Sequence, residues 1–157
     1  MHNKSKIKMY KEQYNFCKPY LKKFNTALDI GCDCFEWTIV LIDYFEAVKA
    51  FDFRPKTRIL KKFFRKYNRN YRKYPNIKLY KQGLAEKKIT RYTKPGVGRI
   101  KGNDKPEGTS WWPVKLQTLD SYGFNNVDFI KLDCDGYEEK ILQGGETTIM
   151  DNKPAIF

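Results

Sequence analysis

Five short apolar runs, each separated from the next by a helical or polar stretch, constrain this chain more than any other feature. They are Thr26 to Ile30 (TALDI), Ala47 to Asp52 (AVKAFD), Asn76 to Gln82 (NIKLYKQ), Val127 to Asp133 (VDFIKLD) and a last run beginning at Pro154 (PAIF). Runs of four to seven residues that are largely apolar or β-branched suit strands covered on both faces, as in a parallel sheet. The intervening segments supply the covering helices. Ile7 to Phe24 has apolar residues at helical spacing, divided by Pro19; Glu36 to Phe45 and Tyr137 to Gln143 are further helices, the latter closed by Gly144. Strands alternating with helices require right-handed crossovers and leave any ligand beyond the carboxyl ends of the strands. The expected organisation is an N-terminal helical segment over 1–23 and one main domain over 24–157.

Between the second and third strands lies the clearest periodicity in the chain. Ile59, Leu60, Phe63, Phe64, Tyr67 and Tyr71 share one face of a helix, and Arg58, Lys61, Lys62, Arg65, Lys66, Arg69 and Arg72 occupy the other. The stretch from Lys94 to Pro113, rich in glycine, proline and lysine, is expected as a loop with Trp111 and Trp112 near its end.

Charge and cysteine content narrow the partners. With 31 basic and 18 acidic residues the net charge is +13, which favours anionic partners such as nucleic acid, phosphorylated sugars or acidic lipid surfaces, or else a solvated basic face. No run of 18 apolar residues occurs, so no membrane span is expected. Cys17, Cys32, Cys34 and Cys134 form no C-x-x-C pair and read as reduced thiols of a cytoplasmic protein. Cys32, Cys34 and the lone His2 make no credible zinc set.

The chemistry concentrates at two strand ends. Asp29 stands just before Gly31, and Asp52 ends the second strand about twenty residues later, a spacing suited to gripping ribose hydroxyls. Dinucleotides and S-adenosyl-L-methionine are the two cofactor classes that use it. A dinucleotide loop needs G-x-G-x-x-G, whereas here Gly31-Cys32-Asp33-Cys34-Phe35-Glu36 puts acids where the second and third glycines belong. Carboxylates there repel a pyrophosphate and suit a sulfonium and an ammonium, so the local chemistry favours the methyl donor. The alternative is a strand-ending turn with solvated acids.

The segment VKLQTLDSYGFNNVDFIKLDCDGYEEKILQGG, Val114 to Gly145, closely resembles the pattern of the FkbM-type methyltransferase family. ALDIGCDCFEW and KAFDFRP resemble that family's first two motifs, and KQGLAEKK its segment after the third strand. The resemblance covers most of residues 24–157. It implies a Rossmann-like doubly wound methyltransferase sheet of order 3-2-1-4-5, here lacking the C-terminal antiparallel strand pair. It also implies O-methylation, with S-adenosyl-L-methionine as cofactor and often a sugar as acceptor. Matched by residue, Asp29 and Gly31 would shape the methionine end, Asp52 would bind ribose, and Gly83 to Ala85, with Leu84 and Ala85 as the contacts, would lie near the adenine; the acid of the loop, Asp33, is a further expected cofactor contact. Asp133 would stand where the methyl is delivered. The chain departs from the family pattern at Cys32, Asp33 and Phe35, which replace a small residue, an asparagine and a glycine, and at Asp135, which replaces a glutamate.

Methyl transfer asks the protein mainly to align an acceptor, and a hydroxyl benefits from a general base worth about 10²–10⁴-fold. His2 being the one histidine, Asp133 and Asp135 are the candidate bases, with Lys131 tuning a neighbour or holding an anionic substrate. The structural alternative pairs Lys131 with Asp133 and uses Glu138 at a helix start. Trp111 and Trp112 offer a flat apolar platform for a sugar ring, or core anchors. The expected acceptor is a small molecule or glycan, with an anionic one suited to the charge. Two rival functions remain at this level: a nucleic-acid-binding or nucleic-acid-modifying protein, and a catalytically inactive methyltransferase-like module.

Overall fold

The computed structural model describes residues 4–54, 76–94, 100–101 and 111–157. Five strands, β1 (Thr26–Ile30), β2 (Ala47–Phe51), β3 (Ile77–Tyr80), β8 (Val127–Leu132) and β9 (Ala155–Ile156), form a parallel sheet ordered β3-β2-β1-β8-β9. Counted in chain order within this sheet, that is the 3-2-1-4-5 topology expected, with β1 central and all five residues of β1 buried. The strand order reverses between β1 and β8, which opens a crevice at their carboxyl ends.

Residue parity along the strands assigns the two faces. Ala27 of β1 and Phe129 of β8 point toward helices α1 (Lys4–Cys17) and α2 (Glu36–Leu41), in a core with Tyr14, Trp37, Val40 and Phe45. Leu28, Ile30 and Ile130 point the other way, packing with Ile141 of α3 (Glu138–Gln143) and Ile149 of α4 (Glu146–Asn152); Val127 joins them because the pairing of β1 with β8 shifts register at its start. Burial of this many apolar side chains on both faces, at about 1.5–3 kcal/mol each, holds the sheet together. The helix at the N-terminus ends at Cys17 and tightens into a 3-10 turn over Lys18–Tyr20, where Pro19 breaks the helical hydrogen bonding.

A second sheet of four short strands lies beside the first. β4 (Gly83–Leu84), β5 (Ile89–Thr93), β6 (Ile100–Lys101) and β7 (Trp112–Gln117) are ordered β4-β7-β5-β6. Strand β6 falls within the stretch expected as loop, and β7 begins at its end. Strand β7 buries Val114 and Leu116 while Lys115 stays exposed, and β5 buries Arg91 and Thr93. Helix α4, also not expected, is started from a distance: Asp120 accepts hydrogen bonds from the backbone N–H groups of Thr147 and Thr148 and from the Thr148 hydroxyl. These bonds hold the Asp120 carboxyl below its usual range against the opposing effect of burial. The basic helix expected over 58–72 lies outside the described residues.

Candidate active site

The site grows from the end of β1. Gly31 takes φ +80°, and a Cβ there would run into the carbonyl oxygen of Asp133 at the end of β8. Only glycine lets these two strand ends approach so closely. The N–H groups of Gly31 and Cys32 both donate to the Phe51 carbonyl of β2, at 2.9 and 3.0 Å. The next amide, of Asp33, donates to Asp52 Oδ2 at 3.0 Å, while Asp52 Oδ1 accepts from the Arg54 amide at 2.6 Å. Asp52 therefore ties the loop after β1 to the end of β2. Burial pushes its pKa up, with the two amide donors pulling against that and Asp33 adding to it.

Beneath the loop sits a buried ion pair. Asp29 and Lys131 are cross-strand partners in the β1–β8 register, and Lys131 Nζ lies 3.4 Å from Asp29 Oδ1. Lys131 Nζ also donates to the carbonyl of Gly31 at 2.8 Å and approaches that of Ile30 at 3.4 Å. Asp29 Oδ2 accepts from the Thr38 hydroxyl of α2 at 2.5 Å. Burial alone would lower the Lys131 pKa, but Asp29 and then Asp133 reverse it, and the net shift is upward. The lysine is a charged clamp that holds the Gly31 carbonyl in place.

Above the loop opens a cleft of about 530 Å³ at the carboxyl edge of the sheet. Of the residues expected at the site, Gly31, Asp33, Asp52, Leu84, Asp133 and Asp135 line it. Asp29, Lys131 and Ala85 do not: the first two form the clamp underneath, and Ala85 is fully buried. Lys131 pairs with Asp29 because the register sets them opposite each other, whereas Asp133, beyond the strand end, is exposed. Phe51, Phe53, Tyr137 and Ile141 supply apolar walls, and Arg54 and Gln82 further polar ones. Among these, Arg54 follows Asp52 closely enough to be found from sequence, while Thr38 carried no local signal. Among the described residues the lining holds four carboxylates (Asp33, Asp52, Asp133, Asp135) against one guanidinium (Arg54), an acidic set in a strongly basic chain.

The thiols of Cys32 and Cys134 are disfavoured as thiolates. Burial, reinforced by Asp29 and Asp52, pushes Cys32 well above the usual thiol range, and burial pushes Cys134 up to about 12. Both stay protonated at neutral pH. Trp111 and Trp112 do not line the cleft: Trp112 is exposed on β7, and Trp111 lies 5.1 Å beneath Lys94 Nζ.

A family model described as the methyltransferase FkbM domain matches residues 41–157. The chain belongs to the FkbM methyltransferase family. In structure it is similar to the crystal structure of methyltransferase FkbM from Methylobacillus flagellatus KT, with a TM-score of 0.65 and 21% identity. That match covers 94% of this chain and 36% of the other, so the chain spans about a third of its length. No curated protein matches the chain in sequence. Among the described residues no helix is long and apolar enough to cross a membrane.

Phe35, ahead of the matched residues and expected from the resemblance to be a departure, is accommodated by packing. Phe35 occupies the left-handed region at φ 65°, where the family pattern has glycine, and its ring is fully buried under α2 rather than in the cleft. The backbone conformation costs about 1–2 kcal/mol for an L-residue. Full burial of an aromatic ring contributes more than that. The tight turn is therefore kept, with a hydrophobic anchor in place of conformational freedom.

Proposed function

We propose that this domain binds S-adenosyl-L-methionine in the acidic cleft and directs its methyl group to a hydroxyl, on a carbohydrate acceptor. The observation that carries the reading is the cleft itself. A glycine turn that brings two strand ends together, a carboxylate at the end of β2 and four acids in one lining suit a ligand with a sulfonium, an ammonium and a ribose. Asp52 retains acceptor capacity after its two amide contacts, since a carboxylate offers about four lone-pair sites, and would take the ribose hydroxyls. Leu84, with Phe51 and Phe53, would flank the adenine, and Gly31 and Asp33 the methionine end.

When bound, the cofactor would supply a methyl group activated by positively charged sulfur. The chain's own residues do the rest. Asp29, Thr38 and Lys131 fix the Gly31 turn from below. Asp133, exposed at the end of β8, takes the hydroxyl proton, with Asp135 beside it as the second carboxylate. The expectation that Lys131 acts on substrate gives way to the clamp role, because its ammonium is already committed to Asp29 and two carbonyls.

Calorimetric titration with S-adenosylmethionine and its demethylated product tests the reading directly. Asp52→Ala should weaken binding by about 1.5–3 kcal/mol, the cost of losing hydrogen bonds to a charged group. Unchanged affinity in a folded variant would remove Asp52 from the site. Transfer of labelled methyl to a panel of sugars, RNA and protein decides the acceptor: label on nucleic acid or protein alone would overturn the hydroxyl reading. No cofactor bound at all would identify an inactive module.

A further inference from the structure

Asp133 borders two cavities. Besides the acidic cleft, it lines a second one of about 360 Å³ on the α1/α2 face of the sheet, together with Tyr10, Gln13, Trp37, Lys131 and Phe157. We propose that this second cavity is the acceptor subsite, and that it takes a neutral, hydroxylated ring of saccharide type. The inference rests on the reading of the first cleft as the methyl-donor site.

Placement comes first. A displacement at carbon needs the nucleophile and the leaving group on opposite sides, and a carboxylate at the shared boundary serves both ligands. Of the described residues, Asp133 is the one acid that borders both cavities. The volume falls within the ~300–1,000 Å³ of small-molecule sites.

The chemistry of the walls then selects the ligand. One side is aromatic: Tyr10 and Trp37 have ring centroids 5.6 Å apart, and Trp37 and Phe157 5.1 Å. Such a wall suits the C–H face of a sugar ring. Gln13 contributes an amide whose Oε1 is buried without a hydrogen-bond partner. Gln13 is only part-buried as a residue, and a hydroxyl, which both donates and accepts, suits the accessible end of its amide in either orientation. Asp133 likewise asks for a donor.

Charge removes the anionic alternative from this cavity. Among the described residues Lys131 is the one cation in the lining, and its ammonium is held by Asp29 and by the Gly31 and Ile30 carbonyls. A phosphate or carboxylate would therefore meet Asp133 without a compensating cation. Among the described residues no free cation lines this subsite, and a neutral ring is the better fit.

The test is titration of methyl β-D-glucopyranoside, and separately glucose 6-phosphate, into the isotope-labelled full chain, followed by NMR with and without S-adenosylhomocysteine. The neutral glycoside should shift the Gln13 side-chain amide and the Trp37 indole N–H, and bind at least tenfold tighter than the phosphate. Gln13→Leu should weaken the glycoside about tenfold, as expected for one hydrogen bond, while S-adenosylhomocysteine binds as before. Met9→Trp, at an exposed position lining the same cavity, should weaken the glycoside without touching the core. No shift at Gln13 or Trp37, or tighter binding of the phosphate, overturns the subsite. Glycoside shifts without any S-adenosylhomocysteine binding would support the sugar site and sink the donor reading instead.

Discussion

The loops that follow β1 and β8 stand side by side at one edge of the sheet and are held in opposite ways. The first is fastened by residues distant in sequence: Phe51 takes two of its amides, Asp52 a third, Lys131 its Gly31 carbonyl, and the buried Phe35 ring closes it. The second, past the Asp133 amide that donates to the Ile30 carbonyl at 3.1 Å, is fastened locally. Glu138 Oε1 accepts the Cys134 amide at 2.6 Å, while Asp133, Asp135 and Gly136 stay exposed, the last two at φ 53° and 94°. A loop that cradles one constant ligand gains from rigid outside support, and one that meets a varying partner is left to solvent.

Breaking the clamp should separate the two loops most clearly. Lys131→Met leaves Asp29 buried without its cation and should cost about 4 kcal/mol in urea denaturation. Adding Asp29→Asn should restore most of that loss. A double variant no more stable than the single one would mean that the pair does not act as a unit.

Phe35→Ala should come next, at about 3 kcal/mol, because it removes a fully buried ring and keeps the left-handed backbone. Phe35→Gly loses the same ring but relieves the backbone, and should be the more stable of the two by about 1 kcal/mol. The reverse order would show that the conformation at residue 35 carries no cost.

The smallest effect belongs to the second loop. Glu138→Gln should cost about 1 kcal/mol. Burial opposes the charged form of Glu138, but hydrogen bonds from its own amide and those of Cys134 and Gly136 outweigh it and hold its pKa low. A depressed carboxyl stabilises the fold above its unfolded value, about 4.3, and that stability is lost as pH falls through the lower folded value. The wild type and Glu138→Gln should therefore differ at pH 6 and converge toward pH 3.

Much of this was legible in the sequence, for identifiable reasons. TALDI and VDFIKLD read as buried strands because their apolar residues are contiguous, and the acids at their ends marked the edge that carries the cleft. Which acids face the cleft was not legible, since that depends on the register. Asp29 lies opposite Lys131 and points toward α1 and α2, which turns both into a clamp. The alternation of Val114 and Leu116 about Lys115 could have disclosed β7. Strand β5 could not be found that way, because it buries an arginine and a threonine. Helix α4 was hidden for another reason, its cap being Asp120, more than twenty residues upstream.

The central position of β1 also governs how the chain is made. Its neighbour β8 lies about a hundred residues downstream, as the spacing of Lys131 from Gly31 records. At roughly 5–20 residues per second, translation of that stretch takes about 5–20 s. Throughout that interval one side of β1 offers unpaired backbone groups, and Asp29 has no lysine to neutralise it. A nascent chain can assemble β1, β2 and β3, but the edge stays open to foreign strands until β8 emerges. The ion pair that stiffens the cleft is thus one of the last contacts of the sheet that synthesis makes possible, since Lys131 arrives only with the fourth strand.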